Sequence, residues 1–272
     1  MRNTKGIAAI ILAVIMACSV MTMIVPMAMG DDPTASTKAS VNNAAPDVEI
    51  ASIQPDPAYP PCSITVSGTL SDPNGLDDVL TMRYTIKKPD GSTYWFGPIS
   101  PNDSWSFSCY LHPWVPHGVW TVEVTATDKE GLSDTDSMTF TVGEVTGIEI
   151  DFSTVNFGAI NVSETRTVEG DYDNTTADAP TIRNTGNTNI TAVLISATDM
   201  EKKGLFSDTI GNENIGAKVN ETSWQNLDEQ RTFTVTIPPA NTAKIDYNLT
   251  VPTGTSPGSY SGTTSITANF EE

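Results

Sequence analysis

Gly118-Val119-Trp120-Thr121-Val122-Glu123-Val124-Thr125-Ala126-Thr127-Asp128 alternates with a strict period of two. Trp120, Val122, Val124 and Ala126 fall on one face, and Thr121, Glu123, Thr125 and Thr127 on the other. A strand reads this way when one side meets a core and the other meets water. The stretch predicts a central strand of a two-sheet structure.

Working outward, similar runs recur at short, regular spacing, near 48–53, 62–70, 79–87, 92–97, 104–111 and 135–142, separated by Pro, Gly, Asn and Asp. Pro89-Asp90-Gly91 is a turn with a mechanism: Pro presets φ and Gly accepts φ > 0. Seven short strands in about a hundred residues predict an immunoglobulin-like β-sandwich over residues 47–145. A second series, near 148–152, 155–159, 163–169, 180–184, 188–198, 215–219, 231–237, 243–251 and 259–270, predicts a second sandwich over 146–272. The expected fold class is all-β, two tandem immunoglobulin-like sandwiches, with Gly143–Gly147 as a short connector between them.

Asp72-Pro73-Asn74-Gly75-Leu76-Asp77-Asp78-Val79, Lys88-Pro89-Asp90-Gly91-Ser92, and Gly118-Val119-Trp120 through Asp128-Lys129-Glu130-Gly131 resemble the immunoglobulin-like and PKD-like repeats of exported archaeal and bacterial surface proteins. The resemblance covers most of 47–143, and it implies a fold and a cell-surface location but no ligand. In the second half, Asp151-Phe152 to Phe157-Gly158, Arg183-Asn184-Thr185-Gly186-Asn187 and Val251–Tyr260 resemble sandwich modules of prokaryotic envelopes. The middle, 200–230, resembles nothing comparable.

The N-terminus supports export. Arg2 and Lys5 precede an uncharged run from Gly6 to Gly30, and Ala28-Met29-Gly30 offers a small-x-small cleavage site. Residues 1–30 read as a signal peptide, with an uncleaved membrane anchor as the alternative because the run is long enough to span a bilayer. Cys18 belongs to this leader. Residues 31–46 contain one large apolar side chain, Val41, and are expected to be a disordered linker.

The chain carries 33 acidic and 14 basic residues, a net charge of −19. Removing the leader takes away Arg2 and Lys5 and no acid. Such a surface repels phosphate backbones, which excludes nucleic acid as a partner. Glycans or envelope proteins are the expected partners, and a membrane only through the leader. Outside the leader the cysteines are Cys62 and Cys109, an even count in an exported chain, and both are in phase with apolar neighbours. A disulfide between the second and fifth strands, within one sheet, is expected.

Three further sets of residues are site candidates. Asp72, Asn74, Asp77 and Asp78 lie between strands two and three, and Asp128, Glu130 and Asp134 between six and seven. Those loops share one end of such a sandwich, so their oxygens form a candidate calcium site. The alternative is a solvated acidic pole whose Asp and Asn residues serve the turns. Tyr94, Trp95, Tyr110 and Trp114 are candidate sugar-stacking rings, against packing. Sequons at Asn102, Asn161, Asn174, Asn189, Asn220 and Asn248 are candidate glycan acceptors, with Asn248 out of phase with the core and expected to face water.

No catalytic constellation is expected. Gly254-Thr255-Ser256-Pro257-Gly258 matches a nucleophile-elbow pattern literally, yet a strand flanks it on each side and no His follows it. His112 and His117, in a proline-rich loop, have no third Cys or His ligand near them in sequence. The expectation is a non-enzymatic extracellular or cell-surface protein, structural or adhesive and glycosylated, without a certain cofactor. A carbohydrate-binding module using the first sandwich's aromatics is the alternative.

Overall fold

The structure, a computed structural model, describes residues 36–204 and 207–271. The expected leader, residues 1–30 with Cys18, lies outside the described residues. Among the described residues no helix is long and apolar enough to cross a membrane. The chain divides after Asn42. Residues 36–42 are exposed and irregular, and the folded body begins at Asn43.

The first sandwich is built from β1 (Asp47–Gln54), β2 (Cys62–Ser71), β3 (Val79–Lys87), β4 (Thr93–Ile99), β5 (Ser104–Leu111), β6 (Gly118–Asp128) and β7 (Ser133–Val142). One sheet has the order β1-β2-β5 and the other β4-β3-β6-β7, with all pairs antiparallel. The strand read first from the sequence is central in its sheet, between β3 and β7. Its apolar face is fully buried, with Trp120, Val122, Val124 and Ala126 all at 0% exposure. The Trp120 indole N–H donates to Pro116 O at 2.9 Å, and Tyr94 packs edge-on to the ring at 5.1 Å. On the opposing sheet the Trp105 N–H donates to Thr69 O at 3.0 Å. Both large rings therefore bury their surface without orphaning their one polar atom.

The open side of this sandwich is closed in a way the alternation foretold only in part. Asp134 and Asp136 sit on the inward phase of β7, in step with Met138, Phe140 and Val142, where it meets the edge strand β1. Asp134 Oδ2 accepts from Val48 N at 3.0 Å, and Asp136 Oδ2 from Ile50 N at 2.7 Å. Carboxylates thus satisfy edge amides that no strand pairs, which also blunts the edge against other chains.

The second sandwich contains β8 (Ile148–Ile150), β9 (Thr165–Val168), β10 (Thr181–Asn184), β11 (Ile190–Ala197), β12 (Met200–Lys202), β13 (Thr209–Ile210), β14 (Ile215–Val219), β15 (Gln225–Asn226), β16 (Arg231–Ile237), β17 (Thr242–Thr250), β18 (Tyr260–Ser261) and β19 (Thr264–Phe270). One sheet has the order β15-β14-β17-β10-β8, with β9 also on β17. The facing layer is β16-β11-β19, followed by the short sheet β13-β12-β18. Its core is a separate apolar cluster including Phe233, Ile245 and Tyr247.

Several expectations are corrected here. Residues 155–159 form no strand but run as irregular chain. The expected strand 259–270 is two, β18 and β19, interrupted at Gly262-Thr263. The expected linker 31–46 is too long at its end: Asn43 Nδ2 donates to Asp128 Oδ2 at 2.6 Å, Ala44 N donates to Asn74 Oδ1 at 2.9 Å, and Pro46 is buried. The expected disulfide is absent, since Cys62 and Cys109 are both free thiols. They do lie on neighbouring strands of one sheet and on its inner side, as expected. Their register, however, pairs Cys62 with Leu111 and Cys109 with Ile64, so the two thiols are diagonal rather than opposite. Diagonal positions stand roughly 7–8 Å apart, beyond the reach of a disulfide without backbone movement.

Candidate functional site

The structure treats the sequence candidates differently. At the acidic end of the first sandwich, Asp78, Asp128 and Glu130 bring carboxylate oxygens within 4.8 Å of one another. The two loops do meet there, because Lys129 N donates to Asp78 O at 2.9 Å. Asp128 is fully buried, and its oxygens accept from Asn43 Nδ2 and, at 2.8 Å, from Leu132 N. Asp72 Oδ1 accepts from Asn74 N at 2.7 Å, while its Oδ2 is buried with no partner. Asp77 lies in a single turn of 3-10 helix and is exposed. Asp134 leaves the group, being committed to the edge of β1. Asn74 is occupied by the incoming chain at Ala44.

The four candidate rings do not form one row. Tyr94 is the extra residue at a bulge in β4, between the pairs Ile86–Trp95 and Lys87–Thr93, which turns it onto Trp120. Its hydroxyl donates to Tyr110 O at 3.0 Å. Trp114 lies beneath the Arg183 guanidinium of the second sandwich, 5.2 Å from the ring centroid. Trp95 and Tyr110 remain exposed, at 56% and 50%.

Among the sequons, Asn102 and Asn161 are exposed and Asn174, Asn189, Asn220 and Asn248 are half-buried. Asn161 donates to Glu164 and Asn189 to Glu271. Asn220 has a positive φ of 51° and accepts from Lys244 N at 3.1 Å. Asn248 does point away from the core, as expected, yet it is not free in water. It lies against Gly216, its cross-strand partner, where a side chain would collide. The same outer face buries Asp246, at 3% exposure, beside Lys218 at 3.1 Å, and it accepts from Gly170 N at 2.8 Å.

The loop that matched a nucleophile elbow is a hairpin pinned by one carboxylate. Asp208 accepts from Ser256 N at 2.7 Å and from the Tyr260 hydroxyl at 2.8 Å. These bonds, Ser256 N first, hold the Asp208 carboxyl well below the usual carboxylate range. His112 packs against Tyr110, and His117 faces Glu144 at 3.7 Å.

A feature that no single candidate announced lies between the sandwiches. Asn184, fully buried, donates to Thr188 O at 2.8 Å and to Ile237 O at 2.9 Å, and accepts from Gly186 N at 2.9 Å. The turn so built presents Asn187, which is 4% exposed. Asn187 donates through Nδ2 to Gly143 O at 3.0 Å and accepts at Oδ1 from Val145 N at 2.7 Å. Its backbone N–H donates to Val145 O at 2.8 Å, and Thr185 N to Gly147 O at 3.0 Å. The connector is clamped along its length by the turn 184–187. Arg183, adjacent to that turn, covers Trp114. The sequence signal was present in Arg183-Asn184-Thr185-Gly186-Asn187, which was legible as a module motif without its role.

No protein-family model matches the chain, and no curated protein matches it. Solved structures do show similarity. One is a carbohydrate-binding module of the β-sandwich superfamily, at 11% identity over 85% of this chain and all of that one, with a TM-score of 0.29. Another is the chaperone–tip adhesion subunit complex of Csu pili from Acinetobacter baumannii, at 12% identity over 72% of this chain and 86% of that one, with a TM-score of 0.35. A third is a tetra-tandem repeat from the extending region of a large adhesion protein, at 12% identity over 83% and 48% of the respective chains, with a TM-score of 0.33. None of the three reaches 0.5.

Proposed function

We propose that this chain is an exported, non-enzymatic structural or adhesive component of a prokaryotic envelope, in which two sandwiches present their surfaces as one body. The observation that carries this reading is the clamp on the connector. A five-residue linker left free would let the sandwiches reorient, which is the default for neighbouring domains. Here buried hydrogen bonds from Asn187 and the Arg183–Trp114 contact oppose that freedom. Export is supported by the leader and by the resemblance to surface repeats. Several acids are employed structurally: Asp134, a candidate ligand, and Asp136 cap an edge, Asp208 ties a hairpin containing Ser256, and Asp246 faces Lys218. In the native host the protein should fractionate with the envelope or the medium, and crosslinking there should recover envelope partners. Hydrolase turnover lost on Ser256→Ala or His117→Ala would overturn the reading.

A calcium role for the acidic end is a second, separable reading. It is favoured by the convergence of Asp78, Asp128 and Glu130 from two loops and by the unpartnered oxygen of Asp72. Hard oxygen donors of this kind suit Ca²⁺ rather than softer metals.

A further inference from the structure

The outer strands of the first sandwich are guarded unequally. The edge amides of β1 are capped by Asp134 and Asp136 of β7. β7 bears those acids itself, and near its end Ala58 N donates to Thr141 O at 2.8 Å. β4 is interrupted by the bulge at Tyr94 and contains Pro98. Charge, bulges and Pro are common means of keeping a sheet edge from pairing with another chain. β5, Ser104-Trp105-Ser106-Phe107-Ser108-Cys109-Tyr110-Leu111, is the outer strand of β1-β2-β5 and has none of them. It bears no charge in a chain whose net charge is −19.

Which backbone groups of β5 remain free follows from its register on β2. Leu70 N donates to Asp103 O at 3.0 Å, so the odd-numbered residues turn their N–H and C=O to β2 and the even-numbered ones turn theirs outward. Some of the outward groups are engaged. Ser104 N donates to Asp103 Oδ1 at 2.8 Å, and Tyr110 O accepts from the Tyr94 hydroxyl at 3.0 Å. The others, both groups of Ser106 and of Ser108 together with Ser104 O and Tyr110 N, have no partner among the described residues.

This pattern is self-complementary. About a two-fold axis at Phe107, an antiparallel second β5 sets Ser106 opposite Ser108, and Ser104 opposite Tyr110, of the other copy. The free groups of Ser106 and Ser108 then meet each other, and Ser104 O meets Tyr110 N. The engaged Ser104 N and Tyr110 O fall opposite one another, so neither denies a bond to a free group. Phe107, at the centre, is half-buried, whereas Trp105, Cys109 and Leu111 on the same inward face are buried. It would meet its counterpart in a non-hydrogen-bonded pair, where side chains approach most closely.

We propose that β5 is a homodimerisation edge, pairing antiparallel with β5 of a second copy of this chain about a two-fold at Phe107 and joining the two three-stranded sheets into one. This goes beyond the presenting role proposed above and does not depend on it. The absence of charge is what self-pairing requires, because a two-fold brings any charge on the edge near its own like. A strand of another sequence is the poorer fit. It would aim an N–H at Tyr110 O and a C=O at Ser104 N, find both taken, and leave its own groups there unpaired.

The test is sedimentation velocity on the full chain over concentrations reaching the high micromolar range, since so small an interface lies at the weak end of the scale. A reversible monomer–dimer equilibrium is expected. It should strengthen between about 0.05 M and about 0.5 M NaCl, because two acidic chains repel and salt screens the repulsion. Two double variants address the edge at exposed, outward positions. Ser106→Lys with Ser108→Lys sets lysine opposite lysine, and Ser106→Glu with Ser108→Glu sets glutamate opposite glutamate. Each alone should weaken the dimer about tenfold, and an equimolar mixture should restore it as a heterodimer. By net charge alone the lysine variant would associate better than the parent, so its weakening reads the strand pairing. Ser106→Cys mixed with Ser108→Cys should give a disulfide-linked mixed dimer on mild oxidation, the facing Cα atoms standing about 5.5 Å apart. Ser106→Cys alone, diagonal to itself, should not. The proposal is overturned by a parent that stays monomeric throughout, by association unchanged in the double variants, which would place the contact elsewhere, by a mixture that fails to restore the dimer, or by equal crosslinking of Ser106→Cys alone.

Discussion

Replacing Asn187 with Ala should uncouple the two sandwiches while leaving each folded. The substitution deletes the donor to Gly143 O at 3.0 Å and the acceptor of Val145 N at 2.7 Å, but spares the backbone bond from Asn187 N. A buried group left without its partner costs about 1–3 kcal/mol. Gly143 and Val145 are half-buried, so water reaches them once the clamp loosens, and the lower part of that range applies to each. The total is about 2 kcal/mol, or roughly a thirtyfold change in the docking equilibrium. The remaining Arg183–Trp114 contact, at a half-exposed ring, contributes about 0.5–1 kcal/mol and cannot compensate. Backbone ¹⁵N relaxation reads the outcome directly. The parent should show one rotational correlation time across β1–β7 and β8–β19, and Asn187→Ala should show two shorter, different ones, with amide shifts in both cores unchanged. Asn187→Asp, which keeps the acceptor for Val145 N and loses the donor, should fall between. Two correlation times already in the parent, or one undiminished time in Asn187→Ala, would refute the clamp as the cause of rigidity.

Other consequences are as direct. Thiol titration of the unfolded, unreduced chain from Cys62 onward should find two free thiols, and one bridge in place of them would contradict the diagonal register. Burial raises both thiols above their ordinary value, so thiolate is scarcer at any given pH and alkylation of the folded protein should be slower than of a model thiol until well above pH 9. Gly68→Ala should destabilise the first sandwich by several kcal/mol or prevent its folding, since the new methyl collides with Glu49 O and the Trp105 ring and neither can retreat cheaply from a packed core; a melting temperature within a degree or two of the parent would show the packing there to be wrong. Calcium at millimolar concentration should raise the melting temperature of the first sandwich, because a ligand selective for the folded state stabilises it by mass action. The shift should vanish in Asp78→Asn combined with Glu130→Gln; no shift in the parent leaves a solvated acidic pole.

The first sandwich was legible almost strand by strand because alternation is strong wherever one sheet face is dry and the other wet. Its strands depart from the expected bounds by about two residues at most. The second sandwich was less legible for a physical reason. Strands as short as β12, β13, β15 and β18, of two or three residues, contain too little of a period to register. The run 155–159 misled in the opposite sense: its apolar residues, Phe157 above all, are held by side-chain burial while its backbone makes no ladder. Phase also misjudged the acids. Asp246 alternates with Ile245 and Tyr247 and so reads as solvent-facing, yet the segment at Gly170 and the lysines at 218 and 244 fold over it. Asp134 read as a loop ligand, but β7 begins at Ser133 and turns its carboxylate inward.

The sequence pattern is weakest at the junction between the sandwiches. A periodic strand advertises its core side, and that side in the first sandwich is filled and satisfied, with nothing left over to bind. The junction between the sandwiches is irregular instead. It is held by the turn Asn184–Asn187, whose buried amides are used up in bonding a neighbouring chain segment and therefore oppose reorientation of the two sandwiches. The run 153–162 is irregular as well, and it lines a cleft whose described lining residues carry no charge. In a chain with 33 acidic residues, a cleft with no charge among its described lining residues is not what uniform surface composition would produce. It requires that the acids lie elsewhere, on edges, turns and loops, as Asp134, Asp136 and Asp208 do.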